Sequence, residues 1–131
     1  MTRPETGKLV AFSAVLTVSD VGRSLQFFLD RLGFLEHFRM GDPISYAIAE
    51  RDAVSVQLMP ASRSPESLGR STIYVFALDI DELHDELRGR GCEIEVAPVD
   101  LFYGMREMSV RDPDGNRITF GQEIRKSGGG A

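Results

Sequence analysis

The sequence predicts an α+β fold built from two tandem βαβββ modules. Three observations carry this reading. A strand, a capped helix, a glycine, a second strand and a hairpin occur in that order twice, and Arg51-Asp52 in the first half is matched by Arg111-Asp112 about sixty positions later. Each half also switches from a two-residue to a 3.6-residue apolar period and back. A repeat this long that occurs only twice fits a pseudo-symmetric pair of modules better than a solenoid.

In the first half, Val10 to Val18 alternates, with Phe12, Ala14, Leu16 and Val18 on one face and Ser13, Val15 and Thr17 on the other, the pattern of a half-buried strand. Ser19 or Asp20 caps a helix in which Val21, Leu25, Phe28, Leu29 and Leu32 share a face, and Gly33 ends it. Phe34 to Met40, Ile44 to Glu50 and Ala53 to Met59 read as strands, the first two separated by the breaker Gly41-Asp42-Pro43. Pro60 to Arg70, rich in Ser and without apolar periodicity, is read as a linker.

The second half restarts the pattern. Thr72 to Leu78 is a strand, Asp79 caps a helix carrying Ile80, Leu83 and Leu87, Gly91 closes it, and Cys92 to Ala97 is the next strand. A loop through Phe102-Tyr103-Gly104 leads to a hairpin turned by Asp112-Pro113-Asp114-Gly115. There Pro113 presets φ and Gly115 supplies a positive φ, which suits a three-residue loop. The expected organisation is one domain over 9–125, with module one at 9–59, the linker at 60–70 and module two at 71–125. Tails at 1–8 and 126–131, the latter glycine-rich, are expected to be flexible.

The chain has 131 residues and a net charge of −5. An acidic balance disfavours nucleic acid and anionic membrane surfaces as partners and suits cationic ones. Cys92 is the only cysteine, so no intrachain disulfide forms and a buried apolar role is expected for it. No apolar run is long enough for a signal peptide or a membrane span, and a cytoplasmic protein is the expectation.

Two segments resemble the vicinal-oxygen-chelate superfamily of glyoxalases, bleomycin-resistance proteins and dioxygenases, and its bleomycin-resistance branch most. They are Val18-Ser19-Asp20-Val21-Gly22-Arg23-Ser24-Leu25-Gln26-Phe27-Phe28 with Arg31-Leu32-Gly33-Phe34, and Tyr103-Gly104-Met105-Arg106-Glu107 running into Arg111-Asp112-Pro113-Asp114-Gly115-Asn116. The resemblance implies a ligand cleft between the uncovered sheet faces, and a homodimer with paired or swapped modules. Enzymes of the superfamily place a metal in that cleft. The positions matching their ligands here are Ser13, Gln57, Thr72 and Thr119, which offer neutral oxygens instead of imidazoles or carboxylates. No metal and no other cofactor is therefore expected. His37 and His84 read as structural.

Strand parity then selects the cleft lining. Ser13 brings Val15 and Thr17; Gln57 brings Ser55 and Met59; Thr72 brings Tyr74 and Phe76; Thr119 brings Arg117, Ser109, Glu107 and Met105. The resemblance adds Phe38 and Tyr103 as walls against a flat ligand. The candidate ligand-binding residues are thus Phe38, Tyr46, Gln57, Tyr74, Phe76, Phe102, Tyr103, Met105 and Glu107, with no catalytic residue assigned. Val54, Val56, Leu58, Met108, Val110, Ile118 and Phe120 are assigned to the core. The function this implies is metal-free sequestration of a hydrophobic or aromatic, cationic small molecule, akin to antibiotic binding. The alternative is a glyoxalase- or dioxygenase-like enzyme with an unusual or absent metal site, or with Glu107 as a base.

Overall fold

The computed structural model describes residues 7–124. Its first module comprises β1 (Ala14–Val18), α1 (Val21–Leu32), β2 (Leu35–Met40), β3 (Tyr46–Arg51) and β4 (Val54–Pro60). Its second comprises β5 (Thr72–Phe76), α2 (Ile80–Gly89), β6 (Val96–Asp100), β7 (Met105–Arg111) and β8 (Arg117–Glu123). The two sheets have the same topology, β1-β4-β3-β2 and β5-β8-β7-β6. In each, the first strand runs parallel to the last and all other pairs are antiparallel.

Local chemistry accounts for both helices. Asp20 accepts a hydrogen bond from the Arg23 amide at 3.0 Å, and Asp79 does the same for Glu82 at 3.0 Å. Each thereby satisfies an amide that has no partner within its helix. At the far end of α1, Gly33 adopts φ +72° and the Phe34 amide returns to the Phe28 carbonyl at 2.9 Å, a closure that favours glycine because a Cβ is strained there.

One face of each sheet is filled. Leu16, Val18, Ala47, Ala49, Val56 and Leu58 meet Val21, Leu25, Phe28 and Leu32 of α1, and Met108, Val110, Ile118 and Phe120 join Ile80 and Leu87 in the same continuous core. Cys92 is buried in it. Val56, Leu58, Met108, Val110, Ile118 and Phe120 are buried as strand parity predicts, whereas Ser109, expected on the open face, is only 4% exposed.

Strands β2, β3 and β4 are displaced by one or two residues from expectation, and three further strands differ as follows. The first strand begins at Ala14, not Val10, and Phe12 is 84% exposed. Its parallel partner β4 starts at Val54, with Val56 facing Ala14, so residues 10 and 11 have no strand opposite them, and Ser13 meets Ser55 through side-chain hydroxyls. The strand expected at Cys92 to Ala97 is β6 at Val96–Asp100. The Cys92 amide is still engaged in closing α2, donating to Leu87 at 2.9 Å. Pro98, which cannot donate to a ladder, is accommodated because β6 is an edge strand. The strand expected to reach Leu78 stops at Phe76.

The modules are joined by the hairpin tip. The Asp112 amide donates to Asn116 at 2.9 Å and the Gly115 amide to Asp112 at 3.0 Å, which closes the three-residue loop Pro113-Asp114-Gly115. Asp114 takes hydrogen bonds from the Ser19 hydroxyl at 2.6 Å and amide at 3.1 Å. Asn116, fully buried, donates to the Thr17 carbonyl at 3.3 Å and accepts from the Ser71 amide at 3.0 Å. On the opposite side Arg51 reaches Glu86 of α2 at 2.7 Å while also holding the Leu32 carbonyl that ends α1.

Candidate functional site

The faces not covered by helices carry the rings. Phe38 is 45% exposed, Tyr74 40%, Phe76 78%, Tyr103 54% and Phe102 96%, and exposed large apolar side chains of this kind make these faces the candidate binding surface. The candidate residues fall into two groups.

On the first sheet, the Tyr46 hydroxyl donates to Gln57 Oε1 at 2.7 Å, and Phe38 lies 6.0 Å from the Tyr46 ring, tilted by 59°. Ser13 and Ser55 share a hydrogen bond at 3.0 Å on the same face. On the second sheet, Tyr74 and Tyr103 both donate to Glu107 Oε2, at 2.6 and 2.9 Å. Phe76 packs edge-on against Tyr74 at 5.2 Å, and Phe102 against Tyr103 at 5.1 Å. Met105, half-buried, begins the strand that carries Glu107. Among the described residues, no hydrogen bond or ring contact joins the two groups.

Desolvation first, then the hydrogen bond each hydroxyl donates to Glu107, pushes both phenols above the usual tyrosine value. Both remain protonated donors at neutral pH. The carboxylate is thus held from one side by two hydroxyls.

Gly121 makes this possible and was missed in the sequence reading. It lies opposite Glu107 in the β7–β8 ladder. A Cβ there would stand 1.9 Å from the Tyr74 hydroxyl, so the ring can cross the sheet only over a residue without a side chain. A glycine in a strand interior is the sequence signal for such a close approach.

The four positions that the sequence resemblance matches to metal ligands are Ser13, Gln57, Thr72 and Thr119. All are neutral, and the Gln57 amide oxygen is already bound to Tyr46. This donor set does not fit a divalent first-row ion, and no group of three or more His, Cys, Asp or Glu side chains is placed to hold a metal among the described residues. His37 instead lies 3.2 Å from Glu50, and His84 is half-buried on α2.

The single chain also forms an open pocket of about 390 Å³ on the helix-bearing side, lined by Phe34, Val54, Val75, Leu83 and Phe120. Of the nine candidate residues, only Phe76 borders it. No helix among the described residues is long and apolar enough to cross a membrane.

Paired βαβββ modules with open, ring-bearing sheet faces define a class of two-module cleft proteins. The chain belongs to the Glyoxalase/Bleomycin resistance protein/Dioxygenase superfamily, whose family model matches residues 10–120. It is 29% identical over 128 residues to a bleomycin resistance protein of Geobacillus stearothermophilus, covering 84% of this chain and 94% of that protein. It is also similar to the bleomycin-binding protein of bleomycin-producing Streptomyces verticillus, solved with copper(II)-bleomycin. That likeness has TM-score 0.72 and 26% identity, over 92% of this chain and 100% of the other. A lactoylglutathione lyase from Agrobacterium tumefaciens shares the fold at TM-score 0.71 and 16% identity, over 90% and 96% of the two chains.

Proposed function

We propose that this protein binds and sequesters an aromatic small molecule without turning it over, and does so without a metal of its own. One observation carries the reading. The outer sheet faces and the loop before β7 expose Phe38, Tyr74, Phe76, Phe102 and Tyr103 beside a few polar groups. Rings stacked on a flat guest contribute about 0.5–1.5 kcal/mol each beyond burial, so several together give useful affinity. The likeness to bleomycin resistance and bleomycin-binding proteins supports an antibiotic of that kind as the guest.

The working unit in this reading is a cytoplasmic homodimer. Among the described residues no hydrogen bond or ring contact joins the two ring groups, and pairing of copies would cover the exposed faces and give the guest two walls.

Calorimetric titration with bleomycin, metal-free and copper-loaded, with and without a chelator, tests the proposal. Saturable binding by a protein free of stoichiometric metal, unchanged by the chelator when metal-free bleomycin is used, is the expected result. A divalent ion bound at Ser13, Gln57, Thr72 and Thr119, or turnover abolished by the chelator, would refute it in favour of an enzyme.

A further inference from the structure

We propose that Glu107 receives a positively charged nitrogen of the bound compound, a protonated amine, amidine or guanidinium carried on a flat ring, and that Tyr74 and Gly121 aim the carboxylate at it. The proposal rests on the reading of the ring-bearing faces as the binding surface and names the chemistry they select.

Three features support it. Tyr74 and Tyr103 both donate to Oε2 of Glu107, so the carboxylate is anchored through one oxygen. Among the described residues Oε1 has no hydrogen-bond partner and remains an acceptor. The arginines nearest in sequence and register are engaged elsewhere: Arg106 with Asp81 and Asp100 at 2.9 and 2.8 Å, and Arg111 and Arg117 with Glu95. Glu107 itself makes no ion pair among the described residues. A half-buried carboxylate without a countercharge favours a cation.

The surroundings suit the same guest. Tyr74 and Tyr103 reach the carboxylate through their hydroxyls, with Phe76 and Phe102 packed edge-on against those two rings at 5.2 and 5.1 Å, and aromatic rings attract cations as well as flat guests. The net charge of −5 assists the approach of a cation from solution. The aim depends on Gly121, because any side chain there would displace the Tyr74 ring from the line along which it reaches Glu107.

A matched pair of probes tests the assignment. Naphthylmethylamine and naphthylmethanol share a ring and a reach but differ in charge at about pH 7. Calorimetry on the full-length protein is expected to show the amine bound about tenfold more tightly, as a hydrogen bond to a charged group allows, and Glu107→Gln to erase that preference while the alcohol still binds. Equal affinity of the two probes, or a preference that survives Glu107→Gln, would overturn the assignment and leave the ring-binding reading standing. Failure of both probes to bind at millimolar concentration would overturn both.

Gly121 is a positioning residue and needs its own readout. Gly121→Ala is expected to lower the preference for the amine when Tyr74 is present and to leave it unchanged in a Tyr74→Ala background, with folding of each variant checked by its melting temperature. An equal loss in both backgrounds would overturn the role given to Gly121.

Discussion

Asp114 accepts two hydrogen bonds from Ser19, one from its hydroxyl and one from its amide, across 95 positions of sequence. The turn of the last hairpin thus holds the residue that precedes the cap of the first helix. Ser19→Ala and Asp114→Ala are expected to be non-additive. In a double-mutant cycle the coupling should be about 1 kcal/mol, since the Asp114 side chain is only 7% exposed and the acceptor is charged. Denaturant midpoints of the two single variants and the double variant would measure it.

Asn116 serves the same junction from within. It donates to Asp112 at 2.8 Å and to Thr17, and accepts from Ser71, all without exposure to water. Asn116→Ala would leave buried donors and acceptors on both modules unpaired. A loss of about 2–4 kcal/mol in urea unfolding is expected.

Gly69 tests how closely the linker is packed. Its φ is +67°, and a Cβ there would lie 2.1 Å from the Asp114 carbonyl oxygen. Gly69→Ala is expected to cost about 2 kcal/mol or more. At Gly89, the last residue of α2, a Cβ meets nothing within 4 Å, and alanine should be neutral or slightly stabilising. Thermal melts of the two variants give the comparison.

Two carboxylates should respond to pH with opposite sign. Hydrogen bonding from Arg51, the largest influence, opposed by burial and assisted by Arg90, holds Glu86 below the usual glutamate range. Its contribution is complete above the unfolded value and is lost as pH falls through the depressed folded value. For Asp112, burial dominates and raises the pKa against the hydrogen bonds from Asn116 and Asp114, so its contribution is present below the unfolded value and is lost as pH rises through the folded one. Unfolding measured from acid to neutral pH should show wild type gaining on Glu86→Gln and losing ground to Asp112→Asn as pH increases.

What the sequence made legible was local. Asp20, Gly33 and Asp79 mark helix ends through contacts within a few residues, and side-chain alternation separated Val56, Leu58, Met108 and Val110 from Gln57 and Glu107. The overlong first strand shows the limit of alternation, since a strand also needs a partner, and the register that sets Ala14 opposite Val56 runs residues 10 and 11 past the start of β4 at Val54. The misplaced Cys92 strand shows another: its amide was already committed to a helix end. The clasp formed by Asp114 and Asn116 was beyond reach, because its partners lie 95 and 99 positions away. So was the Tyr74–Glu107 pair, which depends on the missing side chain of Gly121.

The same glycine breaks the symmetry of the duplication. By register, Val15 faces Gln57 as Tyr74 faces Thr119, and the place two residues beyond Gln57 is taken by Met59 where the second half has Gly121. One half therefore shows an aliphatic chain and a thioether where its twin shows a phenol laid over bare backbone. The two faces are not interchangeable, and under the proposed binding mode a guest lying between them would settle in one direction, charged end toward the phenol side and greasy end toward the thioether.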